Sequence, residues 1–219
     1  MSNPSNKKIK LLVTAGPTRE WLDPIRFMSN PSTGVMGYEI ARAGVELGFS
    51  VTLISGPTHL TPPKGVRFIS IETAKELQSA LKKTFPKHDL LFMTAAIGDY
   101  TPVKLNKQKI KRVPTLTVKL KHTPDVIAGI AKQKKHQTIV GFCLETKNLI
   151  ANAKQKMKNK NLDFIVANYL GKNSNPFGSG NTKVVLMDAL GKKKEFKNVS
   201  KKVLGKKLLL EVITAVTVT

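Results

Sequence analysis

Short apolar segments rich in β-branched residues alternate with segments of helical periodicity over most of this chain, and this alternation constrains the fold most. Six of the apolar segments predict strands, at residues 8–15, 49–55, 66–71, 89–95, 138–142 and 162–168. Strands that alternate with helices pair in parallel through right-handed crossovers. We therefore predict an α/β fold with a three-layer, Rossmann-like, mostly parallel doubly wound sheet. Ligands of such sheets bind at the carboxyl ends of the strands.

Other segments depart from this alternation. Residues 97–123 predict an irregular flap and a β-ribbon outside the main sheet, and residues 171–180 predict a flexible loop. A hairpin across 182–198 and a helix near 200–213 complete the fold. The chain has no internal repeat and no linker-like stretch, so we expect residues 1–219 to form a single domain.

Start signals mark the predicted helices. Thr73 and Glu76 have the spacing of a capping box at the start of one helix. Pro124 is predicted at the first position of another helix, where proline is favoured. Residues 148–160 predict a lysine-rich helix.

The first predicted strand is followed by a loop of about seventeen residues, whereas strand-to-helix loops usually have roughly two to six. Ser32 or Thr33 is predicted to cap the next helix, whose apolar positions begin at Met36. A helix N-terminus after a strand and a glycine-containing loop is an anion-binding arrangement, because free N–H groups and the positive dipole end meet there. Alternatively, Gly34 and Gly37 only allow close packing of the helix on the sheet.

The composition narrows the class of protein. The sequence contains no run of about eighteen apolar residues, so we expect no transmembrane helix. The polar N-terminus leaves no room for a signal peptide. The one cysteine excludes an internal disulfide, so we expect a cytoplasmic protein. The net charge of +23 raises the alternative of a basic nucleic-acid-binding protein. The excess is mostly lysine scattered over predicted helices, with few aromatic residues for base stacking, which favours a solvated lysine-rich surface.

The beginning of the chain resembles phosphopantothenate–cysteine ligase (phosphopantothenoylcysteine synthetase) of the bacterial type. The family string is T-A-G-x-T-x-E-x-x-D-x-V-R-x-I-S-N-x-S-S-G-x-M-G. The matching residues here are Thr14-Ala15-Gly16-Pro17-Thr18-Arg19-Glu20, Asp23-Pro24-Ile25-Arg26-Phe27 and Ser29-Asn30-x-Ser32-x-Gly34-x-Met36-Gly37. Residues 95–111, 141–146 and 156–168 resemble the downstream family segments A-A-V-A-D-Y-x-P…K-I-K, G-F-A-A-E-T and K-x-x-x-K-N-L-D-x-I-x-A-N.

This resemblance implies a ligase of coenzyme A biosynthesis that joins 4′-phosphopantothenate to L-cysteine. It implies CTP as the co-substrate, an acyl-cytidylate intermediate, release of pyrophosphate and CMP, Mg²⁺ as the counter-ion of the triphosphate, and a homodimer. Many bacterial relatives carry a flavin-dependent decarboxylase upstream in the same chain. Because the present chain begins at the first ligase strand, we expect a stand-alone ligase.

The resemblance also implies the residues of the site. Asn30 and Lys109 are the expected catalytic residues, and Asn30, Ser32, Gly34 and Asn168 the expected substrate-binding residues. The expected nucleotide-binding residues are Met93, Thr94, Ala95, Asp99, Lys109, Pro124, Asp125, Val126, Ile127, Phe142, Lys156 and Lys160. No protein residues are expected to ligate a metal, since the four histidines show no metal-binding spacing.

The residue types suit this chemistry, because a carboxylate and a triphosphate repel each other unless cations neutralise them. Alternatives remain open at several positions. Lys156 and Lys160 also fit a solvated helix face, Asp99 a turn cap and Phe142 a core position. Pro31, Thr33, Gly98 and Cys143-Leu144 depart from the family string. A nicotinamide-dependent oxidoreductase of the same fold is a further alternative, although G-x-G-x-x-G is missing and Ser55-Gly56 replaces the acid expected after the second strand.

Overall fold

The computed structural model describes residues 8–170 and 180–217. Its strands are β1 Lys10–Ala15, β2 Arg19–Trp21, β3 Phe27–Ser29, β4 Ser50–Ser55, β5 Arg67–Ser70, β6 Leu90–Met93, β7 Tyr100–Pro102, β8 Leu120–His122, β9 Thr138–Glu145, β10 Phe164–Tyr169, β11 Thr182–Asp188 and β12 Lys193–Val199. Its α-helices are α1 Val35–Glu46, α2 Ala74–Thr84, α3 Val126–Ala131, α4 Leu149–Asn159 and α5 Lys201–Thr217. A 3₁₀ turn, Phe85–Lys87, follows α2.

Eight strands form one sheet in the order β12-β11-β10-β9-β6-β1-β4-β5. The strands from β10 to β5 are parallel, while β11 and β12 extend the sheet as an antiparallel hairpin. The mostly parallel, doubly wound prediction is therefore confirmed. After β1 the chain moves to β4 and β5 on one side, then returns to β6 on the other side of β1. The topological switch point, where such sheets bind ligands, thus lies between β1 and β6.

Helices cover both faces of the sheet and produce the predicted three layers. On one face α1 and α5 pack together over a core that includes Ile40 and Leu208. On the other face α2, α3 and α4 cover a second core with Leu77, Ile130 and Met157. Within the described residues, no helix is both long and apolar enough to cross a membrane.

The region between β1 and α1 differs from the prediction in two respects. It is not an uninterrupted loop, because β2 and β3 form a small antiparallel hairpin in which Trp21 packs edge-on against Phe27. The predicted Ser32 or Thr33 cap is also wrong. Gly34 is the cap residue, with a φ of 78°, and no side chain caps the helix. Ser32 Oγ instead accepts a hydrogen bond from Gly34 N at 3.4 Å, so its oxygen stabilises the turn before the helix.

The flap and ribbon are confirmed as a separate two-stranded unit, in which β7 pairs with β8 and residues 103–119 between them have no regular secondary structure. The capping box of Thr73 and Glu76 and the hairpin of β11 and β12 are also confirmed. The predicted first helical position of Pro124 is wrong, because Asp125 caps α3 by accepting a hydrogen bond from Ala128 N. Of the flexible loop predicted at 171–180, residues 171–179 lie outside the described residues.

Candidate active site

A cavity of about 840 Å³ opens at the carboxyl ends of β1, β6, β9 and β10, at the switch point. Its walls are the segment from Asn30 to Gly37, the residues after β6, the start of α3 and one face of α4. This volume lies within the range of about 300–1,000 Å³ that is usual for small-molecule sites.

All but one of the residues expected from the sequence line this cavity. They are Asn30, Ser32, Gly34, Met93, Thr94, Ala95, Asp99, Pro124, Asp125, Val126, Ile127, Phe142, Lys156, Lys160 and Asn168. Lys109 is the exception: it is exposed on the flap and is not among the lining residues. Residues from six separate chain segments therefore converge on one concave surface, as predicted for the carboxyl edge of a doubly wound sheet.

The N-terminus of α1 forms the floor of the cavity. A Cβ atom at Gly37 would lie 2.6 Å from Ala15 Cβ and 3.0 Å from Thr14 O, so only glycine lets the helix start so close to β1 and β6. Gly34 adds a backbone conformation that other residues rarely adopt. The packing alternative and the anion-site prediction are thus compatible, because close packing brings the free N–H groups of the helix start to the cavity.

Asn30 follows β3 directly and faces the loop after β6. Its Nδ2 donates a hydrogen bond to Ile97 O at 3.1 Å, and the neighbouring Ser29 Oγ donates to Thr18 O at 2.8 Å. The small hairpin and the loop after β6 therefore hold Asn30 from both sides. The side chain remains exposed at the cavity wall, where its amide can meet a ligand.

The lysines of α4 occupy different environments. Lys156 is half-buried and its Nζ donates a hydrogen bond to Phe142 O at 2.9 Å, which places the ammonium beside β9 just beyond its pairing with β6. Burial lowers the pKa of Lys156, and the positive charge of Lys160 contributes to this shift. Lys154 and Lys158, in contrast, are exposed. The lysines of α4 therefore do not form one uniformly solvated face.

Lys160 links α4 to the start of α3. Its Nζ lies 3.1 Å from Asp125 Oδ2 and 3.2 Å from Asp125 Oδ1, while the same carboxylate caps α3. Phe142 packs against the core under α1 and α5, where its ring is tilted against that of Phe92 with centroids 6.5 Å apart, and it is half-buried. The Phe142 side chain therefore contacts the core and also lines the cavity.

Several lining residues were not predicted from the sequence. Lys201 is 8% exposed at the first position of α5, and burial lowers its pKa. Tyr100 and His122 stack at 4.8 Å on the ribbon at the cavity edge. No spacing or composition signal marks Lys201, because it reaches the cavity only through the packing of α5 against α1.

The two sides of the cavity present different groups. Asn168 Nδ2 donates a hydrogen bond to Thr182 Oγ1 at 3.3 Å, and Asn168 Oδ1 is a buried atom without a hydrogen-bond partner among the described residues. Cys143, on the opposite sheet face, is 5% exposed, and burial raises its pKa to about 11. A neutral thiol of this kind packs as a small apolar side chain.

Potential metal ligands are dispersed. Within residues 8–170 and 180–217, no three His, Cys, Asp or Glu side chains are grouped closely enough to hold a metal ion. Of the cavity-lining acids, Asp125 forms an ion pair with Lys160, and Asp99 is exposed.

Comparison with known proteins gives consistent matches. The family model described as "DNA/pantothenate metabolism flavoprotein C-terminal domain" matches residues 6–216. The coenzyme A biosynthesis bifunctional protein CoaBC of Borreliella burgdorferi is 44% identical over 83% of this chain and 47% of its own length. The Bacillus subtilis protein of the same name is 39% identical over 92% of this chain and 50% of its own. The chain thus spans about half the length of these relatives.

The crystal structure of the C-terminal domain of a coenzyme A biosynthesis bifunctional protein CoaBC superposes with a TM-score of 0.83 at 31% identity. The match covers 96% of this chain and 97% of that domain. The similarity therefore extends over the whole sheet and its helices and is not confined to the β1–α1 region. These matches show that the chain belongs to the DNA/pantothenate metabolism flavoprotein C-terminal domain family.

Proposed function

We propose that the protein is a phosphopantothenate–cysteine ligase that joins 4′-phosphopantothenate to L-cysteine in coenzyme A biosynthesis. The observation that carries this proposal is the convergence of the resembling segments on one cavity at the switch point, which contains a helix N-terminus and lysines for anionic substrates. The similarity to the C-terminal domain of CoaBC supports the same reading. We further propose that residues 1–219 act as one domain and that the enzyme is cytoplasmic.

In the first proposed step, a carboxylate oxygen of phosphopantothenate attacks the α-phosphorus of the nucleotide. The bond from this phosphorus to the bridging oxygen breaks, and pyrophosphate leaves with that oxygen. Lys156 and Lys160 neutralise the triphosphate, and the N-terminus of α1 adds N–H donors. Asp99, residues 93–95 and the segment from Pro124 to Ile127 surround the base and ribose in this proposal.

In the second proposed step, the amine nitrogen of cysteine attacks the acyl carbon of the acyl-cytidylate. The bond from this carbon to the phosphate oxygen breaks, CMP leaves, and the amine loses its proton as the amide forms. Asn30 stabilises the negative charge that develops on the acyl oxygen, since its neutral amide donates without adding a charge. Lys109 approaches from the flap and acts chiefly on the first step.

We propose CTP as the preferred nucleotide and Mg²⁺ as its counter-ion. In this proposal the ion binds mostly through oxygens of the triphosphate, as Mg²⁺ usually does at nucleotide sites. We also propose a homodimer. Exposed apolar side chains such as Ile25, Val103 and Leu105 near the hairpin and flap support it, and a monomer in sedimentation equilibrium would contradict it.

The test of the ligase function is turnover of the purified chain with phosphopantothenate, cysteine, MgCl₂ and CTP, ATP, GTP or UTP in separate reactions. We expect pyrophosphate release and a product of the mass of phosphopantothenoylcysteine, with the highest kcat/KM for CTP. Without cysteine, pyrophosphate release should stop after about one equivalent per site, because the intermediate has no acceptor. A folded sample that forms no product with any nucleotide refutes the function.

A further inference from the structure

Asp23 is a fully buried carboxylate whose two oxygens bind different parts of the chain. Its Oδ1 accepts hydrogen bonds from the backbone N–H groups of Ile25 and Arg26, both at 2.9 Å. Its Oδ2 accepts one from Ile110 N at 3.1 Å and pairs with Arg26 Nε at 3.0 Å. Arg26 Nη2 in turn donates a hydrogen bond to Ile110 O. The turn of the β2–β3 hairpin thus holds both backbone polar groups of a flap residue.

A second contact joins the same two segments. Leu22 O accepts hydrogen bonds from Asn106 N at 3.1 Å and from Asn106 Nδ2 at 3.3 Å. The hairpin turn therefore binds the flap at Asn106 and at Ile110, and Lys109 lies between these two points. At its other end the hairpin finishes at Ser29, directly before Asn30.

An aspartate that only stabilises its own turn accepts hydrogen bonds from nearby backbone N–H groups. Oδ1 does this, whereas Oδ2 binds a residue 87 positions away in the sequence. Burial acts to raise the pKa of Asp23, but the hydrogen bonds from Ile25, Ile110 and Arg26 outweigh it and place the pKa below its ordinary value. The carboxylate is therefore held in its charged form, which forms the stronger hydrogen bonds.

We propose that Asp23 is a positioning residue that fixes the base of the flap to the β2–β3 hairpin, so that this hairpin positions both Lys109 and Asn30. This inference rests on the proposed function, in which both residues act on the same acyl group. Lys109 does not line the cavity. To act in the proposed reaction, its side chain has to reach inward from the flap backbone, which Asp23 binds at the next residue, Ile110. Releasing that backbone should misplace Lys109 without changing the residues that surround the nucleotide.

The test is Asp23→Asn, which leaves an acceptor oxygen for the hairpin turn and removes the charge that holds Arg26 and Ile110. We expect kcat to fall about tenfold or more, because small misplacements of reacting groups are costly. The KM for the nucleotide should stay within about twofold. Trypsin should also cleave the folded variant faster at Lys107 and Lys109. The control is Glu72→Gln, since Glu72 contacts Trp21 and Arg19 of the same hairpin and, within the described residues, has no hydrogen bond or ion pair with the flap.

A double-mutant cycle with Lys109→Ala separates positioning from general destabilisation. If Asp23 acts through Lys109, Asp23→Asn should lower kcat by less than about twofold in the Lys109→Ala background. Equal losses in both backgrounds, or unchanged tryptic cleavage of the flap, would overturn the inference.

Arg26→Gln replaces Asp23→Asn if the latter does not fold, because Arg26 holds Ile110 O from the partly exposed side. An inactive wild-type enzyme would refute the proposed function, while the cleavage rates would still test the flap contact.

Discussion

At the scale of single residues, the α4 lysines show how environment separates side chains that look equivalent in sequence. Lys156 binds the backbone oxygen of Phe142 in β9, and Lys160 pairs with the carboxylate that caps α3. Lys158, on the same helix, is exposed. Like charges one turn apart repel each other, and in the proposed function a bound triphosphate offsets this repulsion.

We predict that Lys160→Ala raises the KM for the nucleotide about tenfold, because a hydrogen bond to a charged group contributes roughly 1.5–3 kcal/mol and Lys160 is partly solvated. The melting temperature should change little. Lys158→Ala is the matched control, with the same charge change on the same helix and no position in the cavity. A nucleotide KM that Lys160→Ala leaves unchanged would assign this lysine to the pairing with Asp125 alone.

At the scale of the elements, the parallel strands could be predicted to within a few residues because buried strands are continuous apolar runs. The β2–β3 hairpin could not be predicted in this way, because its strands have three residues each. Three residues are too few to show the alternation of apolar and polar side chains that marks a strand. The glycine cap of α1 was missed for a related reason: close approach to Gly16 decides it, and that is a tertiary contact. Lys201 reaches the cavity through packing of α5 on α1, which no local pattern encodes.

The start of α1 gives a prediction at this scale. Gly37→Ala should lower the free energy of unfolding by about 1–3 kcal/mol, the usual cost of overpacking, because the new methyl group would collide with Ala15 and Thr94. Gly129→Ala in α3 is the control. Its Cβ would meet no atom closer than Gln78 Nε2 at 3.8 Å, and helix propensity should make it neutral or stabilising by up to about 1 kcal/mol.

Thermal unfolding of both variants measures this difference. Equal melting temperatures for Gly37→Ala and Gly129→Ala would contradict the close packing of α1 on β1. Activity is a second readout, because Gly37 lines the cavity and Gly129 does not.

At the scale of the whole molecule, the charge and the sheet topology act together. The net charge of +23 attracts anions from a distance. The topology places the N-terminus of α1 and the lysines of α4 around the carboxyl edge of the sheet, where we propose that the anionic substrates bind. Fifteen of the sixteen site residues expected from the resemblance line this edge. The flap residue Lys109 is the exception because the position of an irregular segment depends on long-range contacts such as those of Asp23.

The acyl-cytidylate chemistry can be tested directly by following the carboxylate oxygens of phosphopantothenate that carries ¹⁸O at both carboxylate positions. If the carboxylate attacks the α-phosphorus, one labelled oxygen must pass to CMP and the other must remain in the amide product. Mass spectrometry should therefore find one ¹⁸O atom in each molecule of CMP formed in the presence of cysteine. Label in orthophosphate, or CMP without label, would contradict the proposed acyl-cytidylate chemistry of this cavity.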